Sequence, residues 1–421
     1  KKMTLVTLNE KEIVCTLLAL ALLLFFAFMI GTLFEEIKAP RVVGEIVGGI
    51  LLGGTCLYAI NPDFIGGIFM AYEQEGKVLN IFYQLGLIFL MFLSGYNTKL
   101  EVEKKNVSVI TLLLVGATII PMLCAVPLIN AFKPWFIGEN LNDTSFGLVF
   151  MIGIAITSIP VISKIFFEMG IINTNFSNIV LTVATLQDLC LWILLNAATR
   201  IATTGKVKLG EMLIVVILTL GLFAIVKLIS DHAKVINIST KTISFYSLSF
   251  VFLLSICALL TMVGINIMYA AFLVGYVVKA FVGVDEETKG RMDSLGNFAF
   301  AFFIPIYFAL VGIQLNLLHD FSIVRFALFF AVAFGLETIG TLIMLQFTKL
   351  NRQTKINLAV TMNARGGPGI VLATVAYSYE IINVEFFTVL ILTTMLSSMV
   401  AGYWLRKQQK CDEDIFMNLT K

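Results

Sequence analysis

Apolar and polar positions fall in long blocks along this chain: runs of about twenty hydrophobic residues, each closed by a short polar connection. A helix of about 20 residues spans the ~30 Å hydrocarbon core of a bilayer at its 1.5 Å rise per residue. A window of about 19 residues predicts thirteen spans, at 12–34, 40–58, 78–96, 107–130, 145–166, 175–198, 210–230, 241–263, 265–283, 295–315, 322–347, 354–377 and 384–405. Long strand-like alternation is absent from the sequence, which argues against a barrel. The expected fold class is an all-α integral membrane protein with about 13 transmembrane helices. The first run, Ile13 to Phe34, is longer than a signal-peptide core and ends without a small-residue cleavage pattern, so it reads as a retained helix. Neither the connections nor the tail after Leu405 is long enough to fold alone, so no soluble regulatory domain is expected.

Within this pattern the chain resembles itself. The third span ends FLSGYNTKL and the tenth ALVGIQLNL, matching Gly95 with Gly312 and Leu100 with Leu317. The offset is seven spans, an odd number, so the two copies lie upside down relative to each other. The expectation is one membrane transporter domain over 1–421, with inverted repeats at about 12–198 and 241–405 joined by helix 210–230. The fifth and twelfth spans are also seven apart, and both are broken midway. One carries Thr157, Ser158, Ile159 and Pro160; the other carries Asn363, Ala364, Arg365, Gly366, Gly367, Pro368 and Gly369. Proline removes a donor and disfavours helix before it, so both segments are expected to unwind near mid-membrane. Backbone groups freed there must be buried in protein or line a polar cavity. Two interrupted helices at matching places in inverted halves point to a transporter's binding site.

Composition narrows the function further. Hydrophobic residues make up 59% and charged residues 13%, against about 45–50% and 25% in soluble domains. Disorder, nucleic-acid binding and a disulfide-stapled scaffold are excluded by that balance, and the net charge of +2 steers no acidic partner. The six cysteines are scattered without a C-x-x-C pair, and only His232 and His319 are available as imidazole ligands, so a histidine metal site is excluded. No phosphate-binding loop, G-x-G-x-x-G, H-E-x-x-H or G-x-S-x-G occurs. A non-enzyme without cofactors, powered by an ion gradient, is the reading that remains. Nineteen of the 29 basic residues fall on one set of connections including the C-terminal tail, which places the N-terminus outside and the C-terminus in the cytoplasm.

Ionisable residues within the spans carry the candidate chemistry, because each costs about 2.5–3.5 kcal/mol to insert at mid-membrane. Asp188 lies midway along the sixth span after Gln187, with no basic neighbour within a helical turn. It reads as a carboxylate that binds a proton or a cation. Glu337 lies in the middle of the eleventh span and Arg365 in the break of the twelfth. Either they pair, leaving only Asp188 to titrate, or Glu337 titrates as well and two protons can move per cycle. Glu45, among Gly44, Gly48, Gly49 and Gly53, is weighed as a packing or dimer contact above an ion site. Lys279 and Arg325 lie near span ends and snorkel, while Asn97, Gln314 and Asn316 mark polar ends of the repeated helices.

The stretches APRVVGEIVGGILLGG, TSIPVISKIFFEMGIINTNFSNIVLTVATLQD, FFIPIYFALVGIQLNL and NARGGPGIVLATVAYSYEIINVEFFTVLILTTM resemble the monovalent cation:proton antiporter superfamily, over about Leu18 to Trp404. The resemblance implies a scaffold that dimerises, a core with two crossing discontinuous helices, elevator-like alternating access and Asp188 as ion carrier. Gln187–Asp188 looks like the Kef-type potassium-efflux branch, whereas electrogenic sodium exchangers carry two acidic residues there. Where many members have a lysine three residues before a glycine in the eleventh span, this chain has Glu337 before Gly340, so ion preference and stoichiometry do not carry over. Arg365 stands where several relatives place an arginine. The mechanism expected is exchange of Na⁺ or K⁺ for protons in the plasma membrane, by a homodimer. Asp188 supplies the charge, Gln187 orients it, and Thr157, Ser158 and carbonyls freed near Pro160, Gly366, Gly367 and Pro368 supply neutral oxygens. An ion-coupled transporter of a small organic solute on the same fold is the alternative, with Arg365 then an anion partner.

Overall fold

The computed structural model describes residues 7–97, 104–206, 217, 221, 242–262, 265–282, 286–411 and 416. The chain forms α1 (Glu10–Glu36), α2 (Arg41–Leu52), α3 (Leu57–Ile60), α4 (Pro62–Phe69), α5 (Glu73–Asn97), α6 (Val107–Leu114), α7 (Ile120–Phe136), α8 (Asp143–Ile154), α9 (Ile159–Glu168) and α10 (Asn175–Thr204). After these come α11 (Thr242–Met262), α12 (Ile267–Val282), α13 (Glu286–Ala301), α14 (Phe303–Ile313), α15 (Ile323–Leu345), α16 (Arg352–Met362), α17 (Gly366–Ser378) and α18 (Val384–Cys411). A π-helical turn, Val115–Ile119, links α6 to α7. Beyond helices, the described residues hold one isolated bridge between Ile137 and Ile382.

Ten of these helical segments are long and apolar enough to cross a membrane, and the protein is a multi-pass membrane protein. An eleventh expected span is the shorter α12, and a twelfth is the broken pair α16–α17. The thirteenth, 210–230, lies almost wholly outside the described residues, as do Leu100 and the last residues of the FLSGYNTKL motif. Helix ends are set locally. Asn9 and Glu12 form a reciprocal capping box at α1, with bonds of 2.8 and 2.9 Å. Thr174 caps α10, which stops at Gly205 in the left-handed region.

The chain divides into two compact units, residues 1–90 with 293–320, and 91–292 with 321–421. In the first, α2 lies against both α1 and α14 at backbone contact. A Cβ on Gly44 or Gly48 would strike the α1 backbone at Ile30 or Phe26, and one on Gly49 or Gly53 would strike the carbonyls of Ala309 or Ile313. Glu45, buried in this unit, pairs with Arg41 of its own helix at 2.9 Å.

In the second unit, aromatic rings join α8, which leads into the first break, to three neighbouring helices. Phe136 stacks on Phe386 at 4.5 Å, and Phe150 and Phe329 close around them, joining α7, α8, α15 and α18. Arg325 sits over Trp135 and pairs with Glu385 at 2.6 Å. At the far end of α5, Gly95 meets the Phe272 carbonyl of α12, while Gly275 of α12 meets that of Phe92.

Candidate functional site

Both expected breaks are present, at Ala155–Ser158 between α8 and α9 and at Asn363–Arg365 between α16 and α17. Pro160 occupies the first turn of α9, where its missing N–H has no intrahelical partner to lose, and Ser158 caps that helix at Val161 N, 3.4 Å away. Gly366 opens α17 at φ +36°, followed by Gly367 and Pro368 in the first turn. A side chain on Gly366 would run into Ser158 and Val161. The breaks touch through main chain: the N–H of Ser158 donates to the carbonyl of Ala364 at 2.6 Å. The Gly366 N–H donates to Ser398 Oγ of α18 at 3.1 Å.

Charge is concentrated beside this junction. The Arg365 guanidinium is fully buried and donates to the last carbonyls of α8, Gly153 O at 3.1 Å and Ile154 O at 2.8 Å. A cation there answers the negative end of the half-helix dipole. The same guanidinium pairs with Glu337 Oε2 at 2.9 Å, and the carboxylate's other oxygen accepts from Thr157 Oγ1 at 3.2 Å. Thr157 shares its single hydroxyl proton with Met362 O, the shorter contact at 2.6 Å, which ties the first break to the end of α16. Of the two arrangements open for Glu337, the structure holds the ion pair.

Asp188 stands apart from this pair. It is 1% exposed, and neither carboxylate oxygen has a hydrogen-bond partner among the described residues. Gln187 does not orient it by a hydrogen bond, contrary to the expectation from their adjacency. Its amide nitrogen donates instead to Ala155 O in the first break and to Ala117 O in the π turn, the latter at 3.3 Å. Successive helical side chains point about 100° apart, so adjacency in the chain does not bring Gln187 and Asp188 together.

Two participants escaped the sequence reading. Asn363 donates through Nδ2 to Thr338 Oγ1 at 3.0 Å and to Ala359 O at 2.9 Å, which leaves Oδ1 buried without a donor. An amide inside a helix break was the available signal. The π turn gave none, since its apolar letters VGATI fit an ordinary helix. Its place is set by Gly116, whose missing side chain lets the turn lie on Gly340 and Thr341, one turn beyond Glu337. The arrangement thus offers one uncompensated carboxylate, bare amide oxygens on Gln187 and Asn363, and a guanidinium already neutralised.

Comparison with known proteins agrees with this chemistry. The family model described as "Sodium/hydrogen exchanger, transmembrane" matches residues 22–407. The Na(+)/H(+) antiporter NhaS4 of Synechocystis is 24% identical over 89% of this chain and 92% of its own length. The K(+)/H(+) antiporter 1 of Saccharomyces cerevisiae is 26% identical over 90% of this chain, and the Cation/H(+) antiporter 17 of Arabidopsis thaliana 23% over 93%. The chain spans only 44% and 48% of those two longer proteins. In fold it is similar to the sodium proton antiporter MjNhaP1 from Methanocaldococcus jannaschii, with TM-score 0.65 and 16% identity over 95% of this chain and 97% of that one. By a family match running through nearly all of its spans, the chain belongs to the sodium/hydrogen exchanger family of transmembrane cation/proton antiporters.

Proposed function

We propose that this protein exchanges one Na⁺ or K⁺ for one proton, with Asp188 as the group that the two ions share. The observation carrying this reading is the contrast between two buried carboxylates. Glu337 is paired with Arg365 and lies beside the Thr157 hydroxyl, whereas Asp188 has no hydrogen-bond partner among the described residues. A charged group in that state is costly, and either a proton or a bare cation relieves the cost. With Glu337 and Arg365 cancelling, the site cycles between neutral states, which makes the exchange electroneutral. Neutral oxygens come from Thr157, Ser158, the amides and the break carbonyls. A hard monovalent ion suits such ligands.

The glycine contacts support the inverted-repeat arrangement. The third and ninth spans meet at Gly95 and Gly275, and the second and tenth meet at Gly49 and Gly312, which is the pairing that a seven-span offset generates. We infer elevator-like alternating access in a homodimeric plasma-membrane protein whose core moves only when Asp188 is neutralised. An organic anion finds no uncompensated positive charge at Arg365, whose guanidinium is paired with Glu337.

The test uses proteoliposomes with an imposed pH gradient, following internal pH as Na⁺, K⁺ or Li⁺ is added, with membrane potential free or clamped. Wild type is expected to collapse the gradient with at least one of these cations, independently of potential. Asp188→Asn is expected to be inert, and pH-dependent exchange by that variant would overturn the assignment.

A further inference from the structure

A buried indole usually keeps a partner for its one polar atom, and Trp192 departs from that habit. It is 3% exposed on α10, and its Nε1–H meets no acceptor among the described residues. Trp404, by contrast, donates its Nε1–H to Asn357 Oδ1 at 3.0 Å. The indole nitrogen is a donor only, so what Trp192 lacks is an oxygen.

Trp192 follows Asp188 by four residues on α10, a spacing that makes two side chains neighbours, with Cβ atoms about 5–6 Å apart. Helical side chains lean toward the N-terminus and cover the turn before their own, which for Trp192 is the turn of Asp188. The neighbour on the other side, Asn196, has committed its side-chain oxygen, which accepts from the Asn266 N–H at 2.7 Å. Carbonyls inside the helix serve its own ladder. Gln187 Oε1 is also bare, but it lies five positions back, about 140° away around the helix. Asp188 is the acceptor that remains, and both of its buried oxygens lack a donor. An unmatched donor and an unmatched carboxylate thus share one face of one helix, a single turn apart, and leaving either unmatched is costly.

We propose that Trp192 is a positioning residue for the transported ion, its Nε1–H donating to one oxygen of Asp188 while the other holds Na⁺ or K⁺. A small turn of the indole toward the preceding turn of the helix makes the bond. An ionised carboxylate accepts a bond roughly twice as strong as a neutral group does, so the indole favours the cation-loaded carboxylate over the protonated one. Being uncharged, the N–H adds affinity without altering the one-for-one count of charges. The proposal rests on Asp188 being the carrier.

The test compares three variants of the full chain in proteoliposomes at one pH, with Na⁺, K⁺ or Li⁺ as the exchanged ion. They are Trp192→Phe, benzothienylalanine at position 192 alone, and Asp188→Asn. Benzothienylalanine keeps the shape of tryptophan and puts sulfur where the N–H stands. Both changes at 192 are expected to raise the apparent KM for the cation by at least about tenfold, as loss of a bond to a charged group does, with the maximal rate within about twofold of wild type. A packing role alone predicts wild-type KM for the benzothienyl variant, and that result would overturn the proposal. The indole also reports directly. Of the three tryptophan N–H resonances, the one lost in Trp192→Phe should move downfield as cation is added to wild type and stay fixed in Asp188→Asn. A resonance blind to cation in the wild type counts against the bond. Exchange by Asp188→Asn sinks the carrier assignment and this proposal with it, whereas an inert Asp188→Asn beside a wild-type KM in the benzothienyl variant sinks this proposal alone.

Discussion

At the scale of single residues, the proposed exchange makes proton and cation compete for Asp188, and the direction of the pH effect follows. Lower pH fills the carboxylate with protons, so apparent cation affinity falls as pH falls while the maximal rate is preserved. On the acid side of its titration, apparent KM should rise about tenfold per pH unit by mass action, measured as initial rates over a cation series at stepped pH. A KM that ignores pH would remove Asp188 from the shared role. Glu337 responds differently because it holds Arg365. Glu337→Gln leaves a buried guanidinium without its counter-charge, a loss of about 3–5 kcal/mol. Thermal unfolding in detergent should show that loss, and Arg365→Gln added to Glu337→Gln should recover much of it. The three charges were legible in the sequence because ionised groups within apolar spans stand out. Their partners were not. Gln187 turns away from its neighbour toward Ala155 and Ala117, and Asn363 aligns against Thr338; both pairings depend on which helices meet.

At the scale of elements, close approach rather than side-chain bulk decides where helices cross. Gly95→Ala would put a methyl group into the Phe272 carbonyl, and α5 would have to move off α12. A clear drop in unfolding temperature is expected. Gly67→Ala, which meets nothing within 4 Å, is the control and should be neutral or raise stability by up to about 1 kcal/mol. Gly366→Ala combines a left-handed residue, costing about 1–2 kcal/mol with a side chain, with a collision at Ser158. It should slow exchange and lower stability together. Hydropathy placed the spans and the prolines marked both interruptions, because each is written in local composition. The π turn was illegible. Its cause is the contact of Gly116 with Gly340, residues more than two hundred positions apart in the chain.

For the molecule as a whole, the proposed one-for-one exchange beside the Glu337–Arg365 pair moves no net charge, so the rate should be indifferent to membrane potential. Clamping the potential at several values during exchange checks this, and a steep voltage dependence would mean that Glu337 also takes up a proton. The resemblance to a family with lysine in the eleventh span could not settle this point, since Glu337 reverses that charge. The bond between the N–H of Ser158 and the carbonyl of Ala364 has a bearing on how such a protein can change over time. A joint made of peptide groups uses no side chain of Ser158 or Ala364, so, proline at 158 and a side chain at Gly366 apart, the letters beside it can change and retune ion preference while the two interrupted helices stay fastened.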